Sequence, residues 1–177
     1  MEFGGVDLKL TARLGLVLLR EGLNYEPVFR FFRDRVSPTG TWPDRIHPVT
    51  GNGIGATGHS PDVCCHFLLF FRNLMVMEER ETLYLLPGVF ATALWREPQI
   101  ELKCIPTTFG EISLKCESIG KVTQIKFNPS FRRKPQQIRL ILDSRDRLLY
   151  ADAKIQRVGN CLELGDDFKM ARIRRNL

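Results

Sequence analysis

Thr39–Gly88 reads TGTWPDRIHPVTGNGIGATGHSPDVCCHFLLFFRNLMVMEERETLYLLPG. Its grammar changes twice. Residues 37–60 are rich in proline and glycine, which argues against a regular element there. Ser60-Pro61-Asp62 then opens a helix: Ser60 can cap, Pro61 suits the first helical position, and Asp62 complements the N-terminal dipole. Phe67, Phe70, Phe71 and Leu74 repeat at helical spacing, giving a buried face to a helix that runs to about Val76. From Glu81 onward the period becomes two. A helical part therefore meets a β-rich part within this stretch, and the expected architecture is α+β.

Working back toward Met1, Leu10, Leu14, Val17 and Leu18 share one face of a first helix that Gly22 and Asn24 punctuate. Tyr25, Val28, Phe29 and Phe32 repeat that spacing, which predicts a second helix over 25–35 with Pro27 in its first turn. The short connection predicts an antiparallel pair. Working forward, TLYLLP, QIELKCIP, GEISLKCES, KVTQIKF, QIRLILD, RLLYAD, AKIQRV and CLELG are short, β-rich and separated by turns. Strands at this spacing predict an antiparallel β-sandwich. Its expected core is Leu83, Leu85, Leu102, Ile112, Leu114, Ile125, Ile138, Leu140, Leu142, Ile155 and Leu162. The imperfect alternation of Val122, Ile125 and Phe127 suggests a bulge there, and the tail after Asp166 either adds a last strand or frays. The expected division is a helical segment at 1–80, carrying the Gly-rich loop 37–60, and a sandwich at 81–177. Three amphipathic helices are too few to enclose a core, so they are expected to pack on the sandwich, on a second copy, or on an upstream barrel.

The chain has 177 residues, 44% hydrophobic and 26% charged, which is ordinary globular composition. A formal charge of +6 favours anionic partners mildly. The cations are scattered, and no aromatic residues alternate with Arg132, Arg133 and Lys134 or with Lys169, Arg172, Arg174 and Arg175, so the pattern argues against nucleic acid and for solvated charge. Five cysteines without a CxxC pair suggest neither zinc nor a disulfide framework, and reduced thiols in a cytosolic setting are the simplest reading. Asp7, Lys9, Arg13 and Arg20 interrupt the N-terminal apolar pattern. No signal peptide is expected, and no run is long enough to span a membrane.

The loop carries the chemistry. Asp44 is its only carboxylate, Trp42 lies two residues before it, and His47 and His59 follow. A carboxylate beside an indole suits carbohydrate: the ring covers the apolar face of a pyranose, the carboxylate accepts from hydroxyls, and the histidines can donate or shuttle protons. The structural alternatives are a turn aspartate bonded to local backbone, a tryptophan plugging the core, and histidines facing solvent. His47, His59 and His66 lack tight ligand spacing, so no metal is expected, and nothing suggests a cofactor. The glycines of GNGIGATG lack the preceding strand and the Lys-Ser/Thr ending of a phosphate loop. Cys65 and His66 are helix neighbours that point in different directions and make a poor nucleophile pair.

Across about residues 10–145 the chain resembles the end of the catalytic domain of (α/α)6-barrel glycoside hydrolases, in particular the α-L-rhamnosidase-like and related six-hairpin groups. The loop TWPDRIHP resembles the family's "TWPE-x-hHP" motif. A glycine-rich turn, a helix ending in Arg72-Asn73, Glu78-Glu79 and the Leu83, Leu85, Pro87-Gly88 pattern follow in order, and Pro106-Thr107-Thr108-Phe109-Gly110-Glu111-Ile112-Ser113-Leu114 resembles the family's sandwich entry. The resemblance implies that Asp44 stands where the family places a loop Glu that serves as general base; in a full protein Trp42 would line the sugar subsite, and His47 and His59 would hold the loop or contact hydroxyls. It departs from the family at Ser60–His66, where Trp-Ala and a Glu are usual, and it offers three helices against six hairpins. Glycoside hydrolysis needs two carboxylates, and the resemblance puts the general acid upstream. The expectation is a C-terminal portion or descendant of a glycosidase, catalytically incomplete alone. The alternative is a non-catalytic carbohydrate-binding or protein-assembly module, the latter including a homo-oligomer built through the apolar helix faces.

Overall fold

The computed structural model describes residues 4–54, 58–89, 97–143 and 145–175. Residues 55–57 of the Gly-rich loop lie outside them. The chain forms two compact units, Met1–Leu74 and Met75–Leu177.

The first unit contains β1 (Val6–Asp7), α1 (Leu8–Arg20), α2 (Glu26–Arg33), β2 (Arg45–Ile46), β3 (Gly53–Ile54) and α3 (Pro61–Met75). Asp7 caps α1 by accepting from the Leu10 N–H at 2.9 Å. Ser60 caps α3 through the Val63 N–H, as its sequence predicts. Tyr25, at the N-cap of α2, and Val28, Phe29 and Phe32 within it are all buried, in line with their spacing.

For α1 the expected face is turned around. Leu8, Ala12, Gly15 and Leu19 are buried, whereas Leu10, Leu14 and Val17 are exposed. Both faces of this helix are apolar, and the periodicity of the larger side chains points to the wrong one. The small residues decide the packing. A Cβ on Gly15 would lie 2.8 Å from the Phe70 ring and 2.9 Å from a Val28 methyl. Gly15 therefore lets α1 approach both other helices. Phe29 stacks near Phe71 and Phe32 near Phe67, so α2 runs opposite to α3, while Lys9 meets Asp62 and Gly15 meets Phe70, so α1 and α3 run the same way.

The loop after α2 is not devoid of regular structure. β1, β2 and β3 form a three-stranded antiparallel sheet that pairs Asp7 with Arg45 and Arg45 with Ile54. The turn between β2 and β3 closes through His47 N–H to the Asn52 carbonyl and Gly51 N–H to the His47 carbonyl, with Gly51 at φ +72. Strands of two residues leave too short a pattern to be seen among glycines and prolines.

The second unit contains β4 (Val76–Glu79), β5 (Thr82–Leu85), β6 (Gln99–Thr107), β7 (Gly110–Ile119), β8 (Val122–Phe131), β9 (Gln137–Ile141), β10 (Arg147–Ala151), β11 (Ile155–Val158), β12 (Cys161–Leu164) and β13 (Met170–Arg174). The first of these continues from the apolar end of α3, which hides it in the sequence; the last is the extra strand considered for the tail. They form two five-stranded sheets, ordered β10-β13-β8-β7-β6 and β11-β12-β9-β5-β4, antiparallel except for the β5–β9 pair. Each sheet buries one face: Ile112, Leu114, Ile125 and Phe127 in one, and Leu83, Leu85, Ile138, Leu140 and Leu162 in the other. The second unit is thus β-rich and mostly antiparallel, with one buried face on each of its five-stranded sheets. Leu102 and Ile155, expected in the core, are only half-buried.

The bulge expected near Val122 is absent: β7 and β8 pair without a break from Gly110↔Phe131 to Ile119↔Val122. Thr123 keeps the alternation, fully buried with its hydroxyl 2.9 Å from that of Ser118. Register shifts occur instead at Leu102/Ile105, where Cys104 has φ +51, and at Leu148/Tyr150. The mixed α+β class stands, and an α/α barrel is not shown by the three helices among the described residues. No helix there is long and apolar enough to cross a membrane.

Candidate functional site

Trp42 fixes the loop. Its indole N–H donates to the Phe32 carbonyl at 2.9 Å, its ring lies 4.5 Å from that of Phe67 and 5.5 Å from that of Phe32, and it is only 6% exposed. Its own carbonyl accepts from the Ser60 N–H at 2.7 Å, which ties the loop to the start of α3. The ring is thus enclosed in the helical core. Two residues later the Asp44 carbonyl accepts from the Leu8 N–H at 3.1 Å, anchoring the backbone to the start of α1.

Between these two anchors the side chain of Asp44 projects outward. It is exposed and makes no hydrogen bond or ion pair among the described residues. The alternative in which a turn aspartate bonds its own backbone is not what the loop adopts. Asp44 lines a cleft of about 350 Å³ together with Asp7, Lys9, Arg45, Ile54, Asp62 and Val63. Strand pairing places Arg45 opposite Asp7.

The other two carboxylates of this cleft are engaged. Asp7 Oδ1 caps α1. Asp62 Oδ2 lies 2.7 Å from Lys9 Nζ, and that hydrogen bond, helped by the charges of Lys9, His66 and Arg13, holds the Asp62 carboxyl below the usual carboxylate range. Asp62 is therefore ionised at neutral pH and is no proton donor. Arg45 is exposed and, like Asp44, has no partner among the described residues. The cleft presents one uncommitted acceptor and one uncommitted donor side by side. Such a pair can bind hydroxyls or orient a water, and it supplies a base without an acid.

The histidines are elsewhere on the loop. His47 Nδ1 accepts from the N–H groups of Val49 and Thr50, each at 3.2 Å. His59 Nδ1 is hydrogen-bonded to the Thr41 hydroxyl, which belongs to a cluster with Ser37 and Thr39. Neither lines the Asp44 cleft, and neither does Trp42. Sequence reasoning missed the cleft's other members. In the sequence Asp7 and Lys9 were visible only as charges interrupting an apolar pattern, and Asp62 as a complement to a helix dipole; nothing there says that these two helix starts adjoin. Among the described residues, no three His, Cys, Asp or Glu side chains are grouped to hold a metal ion.

No protein-family model, no curated protein and no solved structure matches the chain.

Proposed function

We propose that the chain is the C-terminal portion, or a descendant, of a six-hairpin glycoside hydrolase acting on carbohydrate, and that it is catalytically incomplete by itself. The observation that carries this reading is Asp44: an exposed, unpaired carboxylate on a loop anchored at both sides, opening into a cleft, at the position that the family-like motif gives to its loop acid. Asp44 would orient or activate the attacking water, and Arg45 would donate to a sugar hydroxyl. Trp42 acts through the loop that it holds rather than through an open ring face; His47 and His59 shape the same loop. The proton for the leaving group has to come from another segment, since Asp62 is held ionised by Lys9 and hydrolysis requires an acid as well as a base.

The partial barrel has its own support. Leu10, Leu14 and Val17 of α1 and Leu68 and Leu69 of α3 are 51% to 62% exposed, on helices whose opposite faces are buried. An exposed apolar stripe opposite a buried face is the pattern of a helix with neighbours on both sides, as in stacked hairpins. The same faces favour a second reading, a protein-assembly module without catalysis.

The pure chain is expected to turn over no aryl glycoside. In NMR titrations with neutral monosaccharides, the amides of Asp44 and Arg45 are expected to shift, and Asp44→Ala to remove those shifts. Turnover by the chain alone, lost in Asp44→Asn, would overturn its incompleteness. Silence of both amides across the sugar set would leave the assembly module.

A further inference from the structure

The turn between β2 and β3 ends on Asn52-Gly53. Asn52 is exposed, and its side-chain amide makes no hydrogen bond among the described residues. Its carbonyl accepts from the His47 N–H at 2.8 Å. Bonded and non-bonded pairs alternate along an antiparallel ladder. With His47 bonded to Asn52, the next pair, Ile46 and Gly53, is a non-bonded one. β3 is the outer strand of its sheet, so the Gly53 N–H points away from β2. Packing favours glycine at this position, since a Cβ there would lie 3.0 Å from two ring carbons of Pro43. The other asparagines are protected. Asn73 is buried, with its amide donating to the Leu69 carbonyl. The Asn24 side chain accepts from the Glu26 N–H. Asn128 precedes Pro129, which has no N–H, and Asn160 precedes Cys161, whose side chain crowds the approach.

We propose that Asn52-Gly53 is a site of spontaneous covalent modification, at which asparagine converts to aspartate and isoaspartate through a succinimide. The Gly53 nitrogen attacks Cγ of Asn52. A bond forms between them, the Cγ–Nδ2 bond breaks, and the proton of the Gly53 N–H leaves with the amide nitrogen as ammonia. Water then opens the five-membered imide. Addition at Cγ gives an ordinary aspartate linkage. Addition at the main-chain carbonyl carbon gives isoaspartate, in which the chain runs through Cβ and Cγ and the former carbonyl becomes a free carboxylate. The isoaspartate product lengthens the main chain by one methylene and removes the carbonyl that accepts the His47 N–H. Gly53 and Ile54 then lose their register with Ile46 and Arg45. Ile54 lines the cleft of Asp44 and Arg45, and its terminal methyl lies 2.9 Å from where a Cβ on Gly5 would be. Modification at 52 therefore reshapes one wall of that cleft. The chemistry is independent of what the cleft binds and of the glycosidase reading.

The test is incubation of the whole chain in mildly alkaline buffer, followed by peptide mass spectrometry at each asparagine and enzymatic methyl labelling of isoaspartate. Asn52 is expected to convert on the order of ten times faster than Asn24, Asn73 or Asn160, because glycine opens the approach to its own nitrogen. Asn52→Gln, which would have to close a six-membered imide, should lose the label at this position and keep the parent's thermal midpoint. In NMR spectra of the aged parent the amides of Arg45 and Ile54 should move, and in aged Asn52→Gln they should stay. Three results overturn the proposal: conversion at Asn52 no faster than at the other asparagines; equal labelling of the Gln variant at this position; or unmoved Arg45 and Ile54 amides in the isoaspartate fraction.

Discussion

Gly15 shows how much one residue can decide. Its missing side chain admits the Phe70 ring and the Val28 methyl to within 3 Å of where a Cβ would be. Alanine there gains up to about 1 kcal/mol in helix propensity but overpacks a buried ring and a valine, at about 1–3 kcal/mol. Gly15→Ala is expected to lower stability by about 1 kcal/mol in urea unfolding, and Gly15→Leu to abolish the helical unit's transition. Thiol chemistry separates on the same scale. Burial pushes the Cys116 thiol up to about 12, while Cys65 and Cys104 are exposed. Iodoacetamide at neutral pH should therefore alkylate Cys65 and Cys104 and spare Cys116, as read by peptide mass spectrometry. Asp62 gives a pH signature. Its folded-state pKa is depressed by Lys9, so its contribution is present above the ordinary aspartate value of about 3.9 and is lost as pH falls through the lower folded value. Lys9→Met should flatten that acid limb of the stability profile, modestly because the pair is exposed. Asp44 was legible in the sequence as a loop acid. That its side chain has no partner among the described residues was not, because which neighbours a carboxylate meets depends on where α1 and α3 begin in space.

At the scale of elements, sequence periodicity located all three helices and most strands, and failed where it ranked side chains by size. In α1 the stripe of Leu10, Leu14 and Val17 looked like the core, yet Leu8, Ala12, Gly15 and Leu19 are inside. Close helix packing selects small residues, and hydropathy counts them for little. The two faces make opposite predictions: Leu19→Ala should cost about 2–5 kcal/mol as a core truncation, and Leu14→Ala should fall within about 0.5 kcal/mol as a surface change. Denaturant midpoints distinguish them, and the reverse order would restore the face read from the sequence. In β8 a buried hydroxyl, Thr123, carried an alternation that hydrophobic residues alone seemed to break. At the head of β7, Gly110 has φ +134, and a Cβ there would sit 2.3 Å from the Ser130 carbonyl oxygen. Backbone cannot yield as a side-chain tip can. Gly110→Ala combines this clash with a strained φ and is expected to cost about 3 kcal/mol or more.

For the whole molecule, the count of helices already implied that the helical unit could not close on itself, and the exposed leucines on the far sides of α1 and α3 give that implication an address. The chain also carries a formal charge of +6. These two properties oppose each other in dilute solution, since apolar faces draw copies together and like charge holds them apart. Added salt shrinks the Debye length from about 10 Å at 0.1 M to about 3 Å at 1 M, which removes the repulsion and leaves the apolar attraction. Self-association measured by sedimentation is therefore expected to strengthen as salt rises. The triple variant Leu10→Gln/Leu14→Gln/Val17→Gln should weaken it at every salt concentration without lowering the thermal midpoint. Association that instead dissolves with salt would assign the contact to charged surface, and the apolar faces of α1 would then have no part in it.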